Sequence, residues 1–417
     1  MATLVDSESY TGLDLISKST PKLVGVDFFC GAGGATRGFL NAGIDIICGV
    51  DNDSTAKATY EHNNQRLDGS SCKFFCKHIE NLSKNELTEV MGDRSSTALV
   101  FIGCPPCQPF TNLKTDKSNQ GKAKNLLAAF FWQIKRFRPE YVVMENVPGI
   151  QSQKYGRSFS NFVSGLARLG YFPPDYRVLN AKDYGVPQSR RRMVLIASRL
   201  SPICLPVETH GPGRNQEHVS ASVAFKFPAL SAGGIDPEVP NHRAAHLSEL
   251  NLRRIHAVKS PGTGREQWTS DLQLECYKKK DCGHTDVYGR MALDKPAPTL
   301  TTRFVSLSNG RFGHPTEDRA ISLREGAALQ TFDDKYTFLC ESLNINARHI
   351  GNAVPVKLSE ILARTIITHF NDFLSRMALP ECTGLMLQSD EQSCIDILSN
   401  LPAGSSRVCE DNIGGRV

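Results

Sequence analysis

The chain is 417 residues long, with 40% hydrophobic and 22% charged residues and a formal net charge of +5. These proportions are those of soluble globular proteins and exclude wholesale disorder, a collagen-like repeat and a coiled-coil rod. Leu127–Trp132, about the longest apolar run, falls far short of the roughly 18 residues that a membrane span needs, and the mild charge permits a polyanionic partner without demanding one.

The opening segment carries Asp6, Glu8 and Asp14 before its first basic residue, Lys18. It lacks the basic flank and apolar core of a secretory signal, which points to an intracellular protein. The 13 cysteines, an odd number spread along the chain, read in that setting as buried thiols, with any exception due to chemistry rather than disulfides.

In chain order, Leu23–Phe29 reads as a buried strand, followed by a glycine-rich turn and a helix from about Ala35. Further strands are predicted at Asp45–Val50, Ala98–Ile102, Tyr141–Met144 and Met193–Ala197. Continuous apolar runs separated by helix-length segments predict an α/β fold over residues 22–200, doubly wound, with a mainly parallel sheet covered on both faces. From Ser201 the sequence becomes rich in Pro, Gly and His without strong periodicity, so residues 201–340 predict a second, smaller, irregular domain. Helical patterns recur at Leu323–Phe332 and, beyond Pro355, through Ile361–Ile367. Residues 341–372 are expected to return to the first domain, and residues 373–417 read as a C-terminal extension with a mobile tip.

Asp27–Gly34 lies where the first strand hands over to the first helix, and glycines there let backbone amides approach a ligand beside a helix N-terminus. Gly31-x-Gly33-Gly34 departs from the dinucleotide pattern G-x-G-x-x-G, because Thr36 falls at the third glycine. Asp51 follows the second strand, 20 residues after Gly31, where a carboxylate can accept both hydroxyls of a ribose. A lone turn of this kind is equally a tight bend beside a surface acid. With strand, turn, helix, strand and acid in register, a nucleoside-containing cofactor is the stronger reading.

Gly103–Phe110, Gly-Cys-Pro-Pro-Cys-Gln-Pro-Phe, follows another buried strand. Its two prolines stiffen the backbone and present Cys107 at the carboxyl end of the sheet, where open α/β folds bind ligands and a thiolate can act as nucleophile. Glu145 follows the next strong strand, Tyr141–Met144, in reach of the same crevice, where a carboxyl can hold or donate a proton. Three other readings stand beside this one: half a zinc site at Cys104 and Cys107, a redox dithiol, or two packing residues. Spacing alone divides the weight evenly between a nucleophile and these.

Pro106-Cys107-Gln108, Glu145-Asn146-Val147 and the Gln188–Arg192 segment, in that order behind Asp27–Gly34, resemble the cytosine-5 DNA methyltransferase family. The stretch from Arg319 to Phe332 is similar to the family's ninth motif and Ile350–Pro355 to its tenth; Pro296–Thr302 and His314-Pro315 resemble segments of bacterial modification enzymes. The likeness runs from about Lys22 to Leu362. It implies the S-adenosylmethionine-dependent methyltransferase fold and methylation of carbon 5 of a flipped cytosine in a specific sequence of double-stranded DNA, as the modification half of a restriction-modification system. It also implies a monomer in the cytoplasm, associated with the nucleoid, with no metal. Cys107 would add to carbon 6 of the base, Glu145 would hydrogen-bond ring nitrogen 3 and the exocyclic amine, and Arg190 and Arg192 would hold the base and the carboxylate.

For the cofactor, S-adenosylmethionine, the resemblance nominates Phe29, Gly31, Gly33, Asp51, Asn352 and Val354. The family's acid near the end of the third strand is replaced here by Lys77-His78-Ile79-Glu80, which leaves the adenine contact to the backbone of Ile79 or to Glu80. Residues 111–138 carry seven Lys and Arg against one acid, Asp116, and beside a flipped nucleotide they read as a mobile lid touching phosphates. In the target-recognition region, roughly Leu205 to Leu293, Arg253, Arg254, Gly262-Thr263-Gly264, Arg265 and Lys278–Lys280 are candidate DNA contacts. The Cys-Phe-Thr signature of the transfer-RNA branch is missing from that region. Cysteines flanking Pro105-Pro106 disfavour an amino-methylating enzyme, and the filled motif positions disfavour an inactive scaffold.

Overall fold

A computed structural model describes residues 22–94, 96–106, 119–151, 157–275 and 286–378, with residues 119–125 described by their backbone alone. The chain divides at Ile367 into two compact units; of the second, residues 368–378 are described, and they carry the last helix to its end.

The first unit is built on a seven-stranded sheet. In chain order its early elements are β1 Lys22–Phe28, α1 Gly34–Ala42, β2 Asp45–Asp51, α2 Lys57–Asn63, β3 Lys73–Cys76, α3 Lys84–Met91 and β4 Thr97–Gly103. Then come α4 Asn119–Phe137, β5 Tyr141–Asn146, α5 Ser158–Arg168, β6 Asp175–Asn180, a two-residue strand β7 Gln188–Ser189, and β8 Arg191–Ser198. The strand order is β3-β2-β1-β4-β5-β8-β6. β8 runs antiparallel to both its neighbours, β5 and β6, so the other six strands are parallel to one another. The chain winds one way from β1 and then returns to β4 on the other side, which opens a crevice at the carboxyl ends of these two strands.

The predicted α/β sheet is thus present, with all five expected strands. β3 and β6 were not legible, for physical reasons. β3 is four residues long with two exposed, and β6 is an edge strand with two exposed positions and a half-buried start. The reversal of β8 left no trace either, because a strand buried on both faces is equally apolar in either direction.

One core cluster draws wholly on residues 26–197 and fills the space between sheet and helices. Phe28 packs edge-on to Phe101 at 4.9 Å between ring centroids, and Phe130 of α4 covers Phe28 at 5.4 Å. Gly103 makes this possible: a Cβ there would lie 2.5 Å from the Phe130 ring.

The expected irregular region contains short turns and α6 Glu249–Ala257, a two-residue strand β9 Ala297–Pro298 and α7 Leu323–Leu329. With few ladders to satisfy its carbonyls, it uses arginine, whose five donors fan out from one plane. Arg290 is 4% exposed and donates to the carbonyls of Ile255, Val258, His314 and Glu317. Arg254 donates to the Leu272 carbonyl and lies against the rings of Trp268 and Tyr288. Arg319 and Glu325 form a buried two-bonded ion pair, at 2.8 and 2.7 Å.

α8 Leu343–Asn352 and α9 Val356–Met377 follow. The start of α9 lies directly against α1, and β7 pairs in parallel with β9, so the late segments join the first strands' unit. Gly38 of α1 is the point of closest approach. A Cβ there would stand 2.5 Å from both the Ser359 Cβ and the Val356 carbonyl oxygen, and 2.7 Å from the Glu360 nitrogen. Gly38→Ala must push two helices apart and is expected to cost about 1–3 kcal/mol, read as a lower urea midpoint at unchanged slope. A midpoint equal to the wild type's would show that this contact yields freely.

Candidate active site

The turn after β1 is held by two glycines with different tasks. Phe29, Gly31 and Gly33 all have positive φ, at 61°, 49° and 88°. A Cβ on Gly33 would strike the Asn64 side chain at 2.4 Å and the Tyr336 hydroxyl at 2.9 Å, so this glycine seats the turn on the protein. A Cβ on Gly31 would meet open space, so this glycine leaves the backbone bare toward the crevice. Thr36, at the third glycine's place, gives its N–H and its hydroxyl to Asp27 Oδ2, at 3.1 and 2.7 Å. Asp27 is fully buried, and Oδ1 has no partner. Burial pushes its pKa up to about 7, against the two Thr36 bonds.

Asp51, at the end of β2, accepts the Gly31 N–H at 2.8 Å on Oδ2 and the Asp53 N–H at 2.9 Å on Oδ1. Burial raises its pKa above the ordinary carboxylate value, with these backbone bonds opposing. A half-buried carboxylate beside an open glycine is a cradle suited to a hydroxyl-bearing ligand, with lone pairs left to accept. Val354 and Ala353 close one side: a Cβ on Gly34 would lie 2.6 Å from the Val354 carbonyl oxygen and 3.0 Å from the Ala353 Cβ. Val354 is buried, and Asn352, the last residue of α8, is exposed. Ile79, whose backbone was one of the two candidates for the adenine contact, is a buried residue. Its side chain belongs to the core and its carbonyl accepts from Gln133 Nε2 at 3.2 Å, whereas Glu80 and His78 are exposed, His78 Nδ1 lying 3.4 Å from Asn52 Nδ2.

The second half of the crevice lies at the ends of β4, β5 and β8. Cys107 falls outside the described residues; the loop leading to it, Cys104-Pro105-Pro106, is described. The Cys104 N–H donates to the Phe28 carbonyl at 3.2 Å. Asn146 Nδ2 donates to the Pro105 carbonyl at 3.1 Å while Asn146 Oδ1 accepts the Val147 N–H at 2.8 Å. This side chain therefore ties the β5 end to the proline loop. Burial pushes the Cys104 thiol well above its usual pKa, and the charges of Glu145 and Asp27 add to the rise, which disfavours a thiolate at this position.

Glu145 pairs with Arg192 through Oε1 and Nε at 2.9 Å, with both side chains 14% exposed. β5 and β8 are hydrogen-bonded neighbours with Glu145 opposite Val194, and this register brings the pair together. Arg190 is placed otherwise. It is 1% exposed, and its terminal nitrogens donate to the carbonyls of Leu300 at 3.2 Å and Gly351 at 2.9 Å. Gln188 and Gln330 extend the same network: Gln188 Nε2 donates to Gln330 Oε1 at 3.1 Å, and Gln330 Nε2 to the Ile350 carbonyl at 2.7 Å. Asp27, Asn146, Gln188 and Gln330 lie inside the motif segments, and Thr36 lies two residues beyond the first of them. Sequence reading gave them no role, because spacing does not reveal which side chain bonds a distant carbonyl.

The basic stretch after Cys107 divides in two, which corrects the reading of residues 111–138 as one lid. Residues 119–137 are α4, with Phe130, Ile134 and Phe137 in the core. Lys135 lies over the Trp132 ring, Arg136 donates to the Leu82 carbonyl, and Arg138 donates to the Leu169 carbonyl at 2.7 Å. Lys114 and Lys117 lie outside the described residues, as do the side chains of Lys122 and Lys124 and the whole of Lys278–Lys280. Of the other candidate DNA contacts, Arg254 is buried in the core of the irregular region, which removes it from any surface. Arg253 pairs with Asp271 at 2.6 Å, and Thr263 bonds the Ser260 carbonyl within its turn.

Comparison with known proteins agrees with this architecture. The profile of the C-5 cytosine-specific DNA methylase family matches residues 23–368. Type II methylase M.HgiDII of Herpetosiphon aurantiacus is 40% identical over 348 residues, covering 82% of this chain and 94% of its own. Type II methyltransferase M.XorII of Xanthomonas oryzae pv. oryzae is 28% identical, covering 90% of each chain. Among solved structures, a protein assigned as a DNA modification methyltransferase and encoded in an Escherichia coli prophage superposes with a TM-score of 0.63. It is 21% identical and covers 84% of this chain and 100% of its own, a likeness of fold. A sheet with its crevice between β1 and β4, the ordered motif segments around it and a family match over most of the chain lead to one conclusion: the chain belongs to the C-5 cytosine-specific DNA methylase family and is a DNA cytosine-5 methyltransferase.

Proposed function

We propose that this enzyme methylates carbon 5 of a cytosine flipped out of double-stranded DNA, through a covalent adduct to Cys107, as the modification enzyme of a type II restriction-modification system. The observation that carries the reading is the Arg192–Glu145 pair, 2.9 Å apart beside the loop that leads to Cys107. The type II relatives support the system, and residues 201–340 are assigned the target-recognition role as part of the same reading. The enzyme acts as a monomer in the cytoplasm.

Carbon 5 of cytosine is a poor nucleophile, and carbon 6 is hidden in a stacked duplex, so the base must leave the stack. The Cys107 thiolate adds to carbon 6, and the electron pair of the 5,6 double bond moves to carbon 5. Glu145, held in place by Arg192, bonds ring nitrogen 3 and the exocyclic amine and stabilises the charge that the addition places on the ring. S-adenosylmethionine, when bound, supplies the electrophilic methyl group that carbon 5 takes. Loss of the carbon 5 proton to a base restores the double bond and expels the thiolate. The open side of Gly31 and the Asp51 carboxylate fit this cofactor's ribose, with Phe29, Gly33, Asn352 and Val354 forming the walls. The adenine contact falls to the backbone of Ile79 or to Glu80.

Incubation with S-adenosylmethionine and duplexes containing 5-fluorocytosine should give a denaturation-resistant adduct at Cys107, because fluorine cannot leave as a cation. Cys107→Ser should give none while binding cofactor as the wild type does. An adduct missing across a broad pool of sequences would remove the covalent route.

Glu145→Gln and Arg192→Ala should each lower kcat by roughly 10²–10⁴-fold. Because the arginine acts through the carboxylate, the double variant should be little worse than Glu145→Gln alone. Multiplying losses in single-turnover measurements would show that Arg192 has a separate task.

A further inference from the structure

The two walls of the cofactor cradle come from distant parts of the chain, and one carboxylate joins them. Asp51 and its turn belong to β2, whereas Asn352, Ala353 and Val354 end α8 and follow it. Asp53 touches both. Its backbone N–H holds Asp51 Oδ1 at 2.9 Å. Its Oδ1 caps the short turn Ser54–Ala56 by accepting the Thr55 N–H at 3.1 Å and the Thr55 hydroxyl. Its Oδ2 accepts from Arg348 Nη2 at 2.7 Å and lies 3.1 Å from His349 Nε2, both in the C-terminal half of α8. His349 Nε2 also lies 3.2 Å from the Thr55 hydroxyl, and its buried Nδ1 has no partner among the described residues. Burial works against the Asp53 charge, yet the bonds from Thr55 and His349 hold its pKa below the ordinary carboxylate value.

We infer that Asp53 is a positioning residue for S-adenosylmethionine: it sets the distance between the Asp51 carboxylate and the end of α8, and so the width of the cradle. The inference rests on the cofactor reading above. An Asp53 that served α8 alone would have no need to hold Asp51 as well. An Asp53 that only capped its own turn would not draw two cationic or proton-donating side chains from 295 and 296 residues away.

The test is isothermal titration of S-adenosylmethionine and S-adenosylhomocysteine into the full chain, comparing the wild type with Asp51→Ala, Asp53→Asn, Arg348→Ala and the Asp53→Asn/Arg348→Ala double variant. Asp53→Asn keeps an oxygen for Thr55 and therefore the turn, but places an amide donor against Arg348 and His349. Cofactor dissociation constants should rise about tenfold in Asp53→Asn, an effect of the size expected for coupled neighbours, and the cofactor KM by the same factor, with kcat changed less than about twofold. The double variant should bind no more weakly than Asp53→Asn alone, and a thermal melt within a few degrees of the wild type's would separate positioning from lost folding. Wild-type affinity in Asp53→Asn alongside weakened Asp51→Ala, or additive losses in the double variant, would overturn the positioning role. Wild-type affinity in Asp51→Ala would instead overturn the placement of the cofactor itself.

Discussion

The constraint on which this molecule depends is the divergence of β1 and β4. Two neighbouring parallel strands whose connections leave on opposite sides cannot both be covered at their carboxyl ends, so the sheet is left with an open seam. The chemistry-bearing segments follow the strands that border this seam. The glycine turn follows β1, Asp51 ends β2, Cys104 follows β4, and Glu145 lies near the end of β5. A seam also exposes backbone groups, and the turn satisfies them locally: the N–H groups of Phe29 and Cys30 bond the Val50 carbonyl, and that of Cys104 bonds the Phe28 carbonyl. The cradle and the crevice are thus two stretches of one edge.

What keeps that edge rigid is a set of side chains that bond distant backbone. Asn146 bonds the proline loop, Gln188 the Leu329 carbonyl, and Gln330 the carbonyls of Ile350 and Ala353. Each is buried, so each bond left unmade would cost the desolvation of a polar group, typically about 1–3 kcal/mol. A loop held this way keeps its shape without a ligand, and pre-set geometry is what lets a site act on a transition state without first reorganising. The same logic explains the irregular region, where Arg290 satisfies four carbonyls that no strand reaches.

The sheet was largely legible in the sequence because buried parallel strands must be apolar throughout, and Ala98–Ile102 or Tyr141–Met144 admit little else. Asp51 was legible for another reason: its distance from the glycine turn is set by the length of one helix and one strand. Legibility ended where tertiary context decides. Arg254 looks like any surface arginine, yet two aromatic rings and the Leu272 carbonyl enclose it. Lys135, Arg136 and Arg138 read as part of a basic loop because charge was counted without period; the apolar positions Phe130, Ile134 and Phe137 already mark the face of a helix. Asp53 carried no signal, since its partners lie some 295 residues on.

Arg190 and Arg192 show how one short motif serves two purposes. Arg192 meets a carboxylate, so its charge is compensated where chemistry needs a fixed acid. Arg190 is buried against carbonyls, and burial depresses its pKa, with the charge of Arg192 adding to the effect. An apolar side chain of similar size would avoid that desolvation, and replacing buried charges by apolar groups is often neutral or stabilising. It would also leave the Leu300 and Gly351 carbonyls without these donors. Those carbonyls belong to segments 110 and 161 residues away, and through them Arg190 fixes the loop after β9 and the end of α8 against β7. In the function proposed above, the end of α8 is a wall of the cofactor cradle and Arg192 sets the acid of the base crevice. On that proposal, two arginines separated by Arg191 link the spacing of the donor site to that of the acceptor site, which a methyl transfer between two bound molecules requires.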